Sequence, residues 1–118
     1  MPYRTYWLGL GWGLILAVTY LSLTASPIDT GVDNGDKAGH LLAYFSLMAW
    51  WGQLDRRVNA LLILFLAMGA GLELLQGLIP GREPSLLDMA ANAGGALLGW
   101  LATRAWPSWL PAAAAGRP

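Results

Sequence analysis

Four apolar segments, each close to the length that an α-helix needs to cross a bilayer, dominate this chain of 118 residues. They cover about residues 6–24, 37–53, 58–79 and 86–105. A membrane-spanning helix needs roughly 20 predominantly apolar residues. The pattern therefore predicts an all-α integral membrane protein with four transmembrane helices.

The connections between these segments are short, so neighbouring helices are expected to be antiparallel. We expect one transmembrane domain, residues 1–106, folded as an up-down-up-down four-helix bundle. Residues 107–118 are rich in proline and small residues and are expected to form a flexible tail. The first segment also resembles a signal peptide cleaved after Ala25. Against that alternative, its apolar run is long and Leu23 is not the small residue that cleavage favours.

Composition narrows the function classes further. Hydrophobic residues make up 56% of the chain, and seven basic residues balance seven acidic ones. This excludes a nucleic-acid binder that works through a basic face, and it argues against disorder. The chain has no cysteine and one histidine. Disulfides, thiolate zinc sites, thiol nucleophiles and histidine-rich metal sites are therefore excluded, and no metal or cofactor is predicted.

The basic residues are distributed unevenly between the two ends of the predicted bundle. One end carries five of the seven, namely Arg4, Arg56, Arg57, Arg104 and Arg117. By the positive-inside rule this end, with both termini, is cytoplasmic. The same end collects the aromatic residues expected to form an interfacial belt, Trp7, Trp50, Trp51, Trp106 and Trp109 with Tyr3 and Tyr6. Both patterns predict the same orientation.

Glycine spacing indicates how the helices pack. Gly9-x-x-x-Gly13 and Gly95-x-x-x-Gly99 each place two small residues on one helix face. Such faces let helix backbones approach closely in membranes. We expect both faces to serve packing within the bundle rather than dimerisation.

Polar side chains gather at the opposite, extracytoplasmic end of three helices. A charge at a helix centre costs roughly 2.5–3.5 kcal/mol in lipid, so such residues usually face a partner or a cavity. Within each helix, residues spaced three or four positions apart lie on the same face, and these polar residues follow that spacing. They are Asp36, Lys37, His40 and Tyr44 on the second helix, Glu73 and Gln76 on the third, Arg82 in the following loop, and Asp88 and Asn92 on the fourth.

Each of these residues has a structural interpretation when it is taken singly. Asp36 is a candidate N-cap, and Ser85-x-x-Asp88 fits a capping box. Glu73, expected about two turns inside its helix, is a candidate polar clamp, and Asn92 a candidate interhelical hydrogen-bonding group. Their convergence at one depth nevertheless predicts a binding site. Three carboxylates and two cations leave one net negative charge there, which favours a protonated His40.

The same residues resemble the VanZ-like family of small bacterial membrane proteins. The resemblance is carried by D-K-x-x-H-x-x-x-Y from Asp36, E-x-x-Q from Glu73, and P-x-R-x-x-S-x-x-D-x-x-x-N-x-x-G from Pro80, over about residues 36–99. Leu41 departs from the phenylalanine often found after this histidine. The resemblance implies a multi-pass protein of the bacterial inner membrane, with a role in envelope maintenance or tolerance of glycopeptide antibiotics. It implies no particular reaction.

Three functions fit this site. The first, which we favour, is binding the polar head of a lipid-linked or amphiphilic envelope molecule, with Arg82 and Lys37 on an anionic group. The second is a hydrolase or transferase acting on such molecules, in which His40 is the acid or base and Glu73 or Asp88 orients it. The third is a structural or accessory subunit. Whether the chain forms a homo-oligomer or takes a membrane partner stays open.

Overall fold

The structure, a computed structural model, describes residues 2–23, 35–80 and 86–106, without the side chains of 2, 3 and 35–37. This part of the chain forms four α-helices and no strand. They are α1 (Pro2–Leu23), α2 (Gly35–Leu54), α3 (Val58–Gln76) and α4 (Leu86–Ala105). The predicted all-helical fold with four helices is confirmed. The predicted tail, residues 107–118, lies outside the described residues.

Two helix boundaries differ from the prediction for identifiable reasons. α1 begins at Pro2 rather than near residue 6. Proline is tolerated in the first turn of a helix, because backbone N–H groups there have no hydrogen-bond partner within the helix and the missing N–H of proline costs nothing. α3 ends at Gln76 rather than Ile79. Continuing α-helix into Pro80 would press the proline ring against the Gln76 carbonyl. After Gln76 the chain instead forms a tighter turn, in which the Ile79 N–H donates to the Gln76 carbonyl at 3.1 Å.

The contacts between helices give their relative directions. Arg4, early in α1, donates to the Leu54 carbonyl at the end of α2 at 3.2 Å. Gln53 donates to the Trp106 carbonyl, which follows α4, at 3.1 Å. Trp100 of α4 donates to Asn59, at the start of α3, at 2.9 Å. The beginnings of α1 and α3 therefore meet the ends of α2 and α4.

The glycines of α4 bring it into close contact with α2. A methyl group added at Gly95 would strike the Leu41 carbonyl oxygen, and one at Gly99 would lie 2.8 Å from the Phe45 carbonyl oxygen. Backbone therefore meets backbone along this face, and the predicted packing role of the Gly95–Gly99 pair is confirmed. The same prediction for Gly9 and Gly13 is wrong, since a methyl group at either would meet no atom of the described residues within 4 Å.

Tryptophan side chains join α1 to α2. Trp50 donates its indole N–H to the Trp7 carbonyl at 3.0 Å, and the two rings lie 4.7 Å apart. Trp51 donates to the Gly11 carbonyl at 3.1 Å and is buried against that glycine. Trp51 was predicted to lie in an interfacial belt, but it belongs to the core. Indole needs a partner for its N–H when buried, and the α1 backbone supplies one.

Asp55 and Arg57 form an ion pair in the loop between α2 and α3. Arg57 Nη2 lies 2.7 Å from Asp55 Oδ2, and the Arg57 backbone N–H donates to Asp55 Oδ1 at 2.9 Å. Hydrogen bonds from the Arg57 side chain hold the pKa of the Asp55 carboxyl below its ordinary value. The pair fixes the turn that precedes α3.

The outside of the described bundle is unusually apolar, and its interior is unusually polar. α1 from Arg4 to Leu23 and α3 are long and apolar enough to cross a membrane, yet only 17% and 22% of their most apolar windows are buried. The core helix of a soluble protein would bury most of that surface. The buried residues meanwhile include Ser22, Gln53, Glu73, Gln76, Asp88, Asn92 and Thr103.

Candidate functional site

His40, Tyr44, Asp88 and Asn92, which were predicted to share one site, lie close together in the structure. Asn92, on the buried face of α4, connects three helices. His40 Nδ1 of α2 lies 2.7 Å from Asn92 Oδ1, and Asn92 Nδ2 donates to the Gly69 carbonyl of α3 at 3.3 Å. The fit is tight, because a methyl group on Gly69 would lie 2.9 Å from Asn92 Cβ. We call His40, Asp88 and Asn92 the histidine cluster.

Asp88 completes the histidine cluster from the first turn of α4. Its Oδ2 lies 3.8 Å from His40 Nε2, and the two side chains are 12% and 15% exposed. At this distance the two atoms are close enough for strong electrostatic interaction but too far apart for a direct hydrogen bond. Among the described site residues, His40 and Asp88 keep this partial exposure, so a molecule outside the bundle can reach them.

Three further residues of the predicted site, Tyr44, Glu73 and Gln76, are fully buried. Each is at most 1% exposed. The Tyr44 ring packs beside Gly69, within 3.3 Å of where a methyl group there would lie. Glu73 and Gln76 are three residues apart in the last turn of α3, so they share a face. Glu73 is thus nearer its helix end than the expected two turns, because α3 stops before Pro80.

Three hydroxyl or amide atoms of the described residues are buried without a hydrogen-bond partner, namely Tyr44 Oη, Gln76 Nε2 and Thr103 Oγ1. The first two belong to the predicted site. A buried polar atom without a partner costs about 1–3 kcal/mol. Such groups in native proteins call for an explanation, and an arriving polar ligand or an ordered water would satisfy them.

Three of the predicted site residues cannot be placed in this geometry. Asp36 and Lys37 lie in the first turn of α2, but their side chains are outside the described residues. Because α2 begins at Gly35, Asp36 is inside the helix and is not its N-cap. Arg82 lies outside the described residues altogether. Ser85, the predicted capping partner of Asp88, lies outside them too.

Polar burial at the opposite end of the bundle was missed by the sequence interpretation. Gln53 and Thr103 are buried there, on α2 and α4. Gln53 spans to the Trp106 carbonyl, and Thr103 packs against Gly52, where a methyl group would lie 2.6 Å from Thr103 Oγ1. The sequence feature that could have indicated this contact is Gly52, a small residue on α2. No pattern in the sequence links it to Thr103.

The chemistry available to the histidine cluster is that of binding and proton transfer. A histidine held at one nitrogen by a fixed acceptor is the arrangement that orients a general base. The sequence predicted that a carboxylate orients His40, but the amide of Asn92 makes the hydrogen bond. Among the described residues no group of three or more histidines or carboxylates could hold a metal ion.

No family model, no curated protein and no solved structure matches this chain. The resemblance to VanZ-like proteins therefore stays a prediction.

Proposed function

We propose that this chain is a small integral membrane protein of the VanZ-like type. In this proposal all four helices cross the bilayer, and the histidine cluster binds the polar head of a lipid-linked or amphiphilic envelope molecule. The observation that carries the proposal is the inverted polarity of the bundle. An apolar surface surrounds a carboxylate, Glu73, that is 0% exposed.

The apolar exterior supports the membrane part of the proposal. Leu10, Leu16, Ile63, Leu64, Leu98 and Leu101 are large side chains that are exposed on three helices. Soluble monomers rarely expose contiguous apolar patches larger than a few hundred Å². The helices have 19 to 22 residues, which at about 1.5 Å per residue is close to the hydrocarbon thickness of about 30 Å.

The distribution of charge supports an orientation with the histidine cluster on the extracytoplasmic side. Arg4 contacts Leu54, and Arg56 and Arg57 follow that residue in the α2–α3 loop. Arg104 lies over the Trp100 ring at the end of α4, at 4.9 Å. These four arginines share the end opposite His40, and the positive-inside rule makes that end cytoplasmic.

Accessibility within the site supports head-group binding. Of the described site residues, His40 and Asp88 are partly exposed, whereas Glu73 is fully buried. In the proposal, the cations Lys37 and Arg82 hold an anionic part of the ligand. Tyr44 Oη and Gln76 Nε2, which have no hydrogen-bond partner among the described residues, offer donors to the ligand.

A second candidate function is a hydrolase or transferase on the same class of molecule. It is favoured by the 2.7 Å contact between His40 and Asn92, because a catalytic base requires an orienting partner. His40→Ala separates the two functions. A folded variant that still binds the ligand but no longer converts it would favour the enzyme.

The test of the binding proposal is native mass spectrometry of the full chain extracted gently from its host membrane. Asp88→Asn removes one charge from the site at constant shape, and Asp55→Asn makes the same chemical change at the other end. We expect a discrete lipid adduct on the wild type and on Asp55→Asn, with a several-fold loss on Asp88→Asn. Equal adducts on all three folded proteins, or none on any, would contradict the proposal.

A further inference from the structure

The two ring nitrogens of His40 have different neighbours. Nδ1 lies 2.7 Å from Asn92 Oδ1, whereas Nε2 lies 3.8 Å from Asp88 Oδ2. Asn92 is 3% exposed, and the Asp88 side chain is 12% exposed. One nitrogen therefore contacts a buried amide, and the other faces the partly exposed carboxylate of the histidine cluster.

The Gly69 carbonyl fixes the orientation of the Asn92 amide. A carbonyl oxygen can only accept a hydrogen bond, so the Asn92 atom that lies 3.3 Å from it is the amide nitrogen, which donates. The reversed amide would place two acceptor oxygens against each other. Asn92 also has little room to move, because a methyl group on Gly69 would lie 2.9 Å from its Cβ. The amide oxygen consequently faces His40.

This orientation assigns a hydrogen to Nδ1 of His40. An amide oxygen only accepts, so the nitrogen 2.7 Å away must donate. The assignment holds in both charge states of the ring. In the neutral imidazole Nε2 has a lone pair, and in the imidazolium Nε2 carries a second hydrogen on the side of Asp88. The nitrogen that gains and loses a proton is therefore Nε2.

We propose that Asn92 is a positioning residue, which holds a hydrogen on His40 Nδ1 and leaves Nε2 as the nitrogen that meets the ligand. This rests on the proposed function, in which the histidine cluster is the ligand site, and it defines what His40 contributes there. A protonated Nε2 donates a hydrogen bond to the ligand. An unprotonated Nε2 accepts one, or takes a proton as a general base.

Charged and titratable neighbours of His40 lie on all three helices of the site. They are Asp88 on α4, Glu73 one turn after Gly69 on α3, and Tyr44 one turn after His40 on α2, with Asp36 and Lys37 in the first turn of α2. Their charges influence the pH at which the ring titrates. They do not decide which nitrogen titrates, because the contacts among His40, Asn92 and Gly69 set that.

The single histidine of the chain makes the test selective. The full protein is labelled with ¹⁵N-histidine and placed in nanodiscs, and the ¹⁵N shifts of both ring nitrogens are followed over pH. The variants are Asn92→Leu, which removes the amide at similar size, and Asn92→Asp, which keeps an acceptor for Nδ1 but cannot donate to Gly69 while ionised. Asn59→Leu is the matched control, since Asn59 accepts a hydrogen bond from Trp100 at the other end of the bundle.

In the wild type and in Asn59→Leu, we expect Nδ1 to resonate as a protonated nitrogen at every pH, while Nε2 alone shifts downfield as the ring loses its proton. Asn92→Leu, checked for helical content, should give a mixture of tautomers, and Asn92→Asp should restore the wild-type pattern. If the ring stays charged at every pH, hydrogen exchange with water replaces the titration. The hydrogen on Nε2 should then exchange faster than the hydrogen on Nδ1.

Three results would overturn the inference. They are a neutral ring with its hydrogen on Nε2, equal exchange of the two hydrogens in a ring that stays charged, and a wild-type pattern in Asn92→Leu. Failure of a folded Asn92→Asp to restore the pattern would equally show that Asn92 does not act as the acceptor for Nδ1. None of these readings needs a ligand. A lipid adduct that is lost in Asp88→Asn would leave the head-group function standing without this role for Asn92, and a fixed tautomer without any adduct would refute only the function.

Discussion

Replacing Gly95 by alanine tests the closest helix contact in the bundle. The added methyl group would strike the Leu41 carbonyl oxygen and lie 3.0 Å from the Phe45 backbone nitrogen. Both obstacles are backbone, so no side-chain rotation can relieve them. α2 and α4 must move apart along the whole face they share.

The expected cost follows from two opposing terms. Overpacking a well-packed contact costs about 1–3 kcal/mol, and a backbone obstacle places this variant at the upper end. Alanine regains up to about 1 kcal/mol over glycine through its helix propensity. We therefore expect Gly95→Ala to lower the free energy of unfolding by about 2 kcal/mol.

Gly94→Ala is the matched control, because its methyl group would meet no atom of the described residues within 4 Å. It should leave the free energy of unfolding unchanged or raise it by up to about 1 kcal/mol. Both variants are measured by reversible unfolding in mixed micelles of increasing SDS content, followed by tryptophan fluorescence and circular dichroism. The two proteins have identical composition, so their difference isolates the steric term.

A second glycine sharpens this test. Gly99→Ala meets α2 in the same way, and one outward shift of α2 relieves both collisions. The double variant should therefore lose less stability than the sum of the two single variants. If Gly95→Ala unfolds at the same SDS fraction as Gly94→Ala, the close approach of α2 and α4 is refuted.

Three further predictions test other contacts. Trp51→Phe removes the indole hydrogen bond to Gly11 and should cost about 1 kcal/mol of unfolding free energy, whereas the exposed Trp106 should tolerate the same change. Gly52→Ala should destabilise through its collision with Thr103, and adding Thr103→Ala should restore most of the loss, as measured by the same SDS titration. Because Arg57 lowers the pKa of Asp55, the pair stabilises the fold above the unfolded carboxyl pKa of about 3.9 and loses that effect as pH falls through the lower folded value. Asp55→Asn should therefore reduce stability at pH 7 and by less at pH 3, and an equal loss at both would exclude the ion pair as the cause.

Helix number could be predicted from the sequence because apolar run length is a local property. Helix contacts could not be predicted in the same way. The Gly9–Gly13 and Gly95–Gly99 pairs have the same spacing, yet only the second lies against a neighbouring backbone. On α1 the contact with α2 lies at Gly11 instead, where the indole of Trp51 packs.

The sequence predicted which helix faces carry the residues of the candidate site, but not which side chains contact one another. Helical spacing places His40 on one face of α2 and Asn92 on one face of α4. It does not say that an amide rather than a carboxylate meets the imidazole. That choice depends on the Gly69 carbonyl, a backbone group that side-chain patterns do not register.

Cysteine labelling tests most directly whether the apolar surface of the bundle faces lipid and whether the histidine cluster opens on the extracytoplasmic side. The chain has no cysteine, so a single cysteine introduced in place of Leu64, Arg56 or Leu86 is the only thiol that a maleimide can label. Each variant is treated with a membrane-impermeant maleimide in right-side-out spheroplasts and in inverted vesicles. We predict labelling of position 86 only from outside, of position 56 only from inside, and of position 64 only after denaturation. Labelling of position 64 in intact membranes, or of positions 56 and 86 from the same side, would contradict the account.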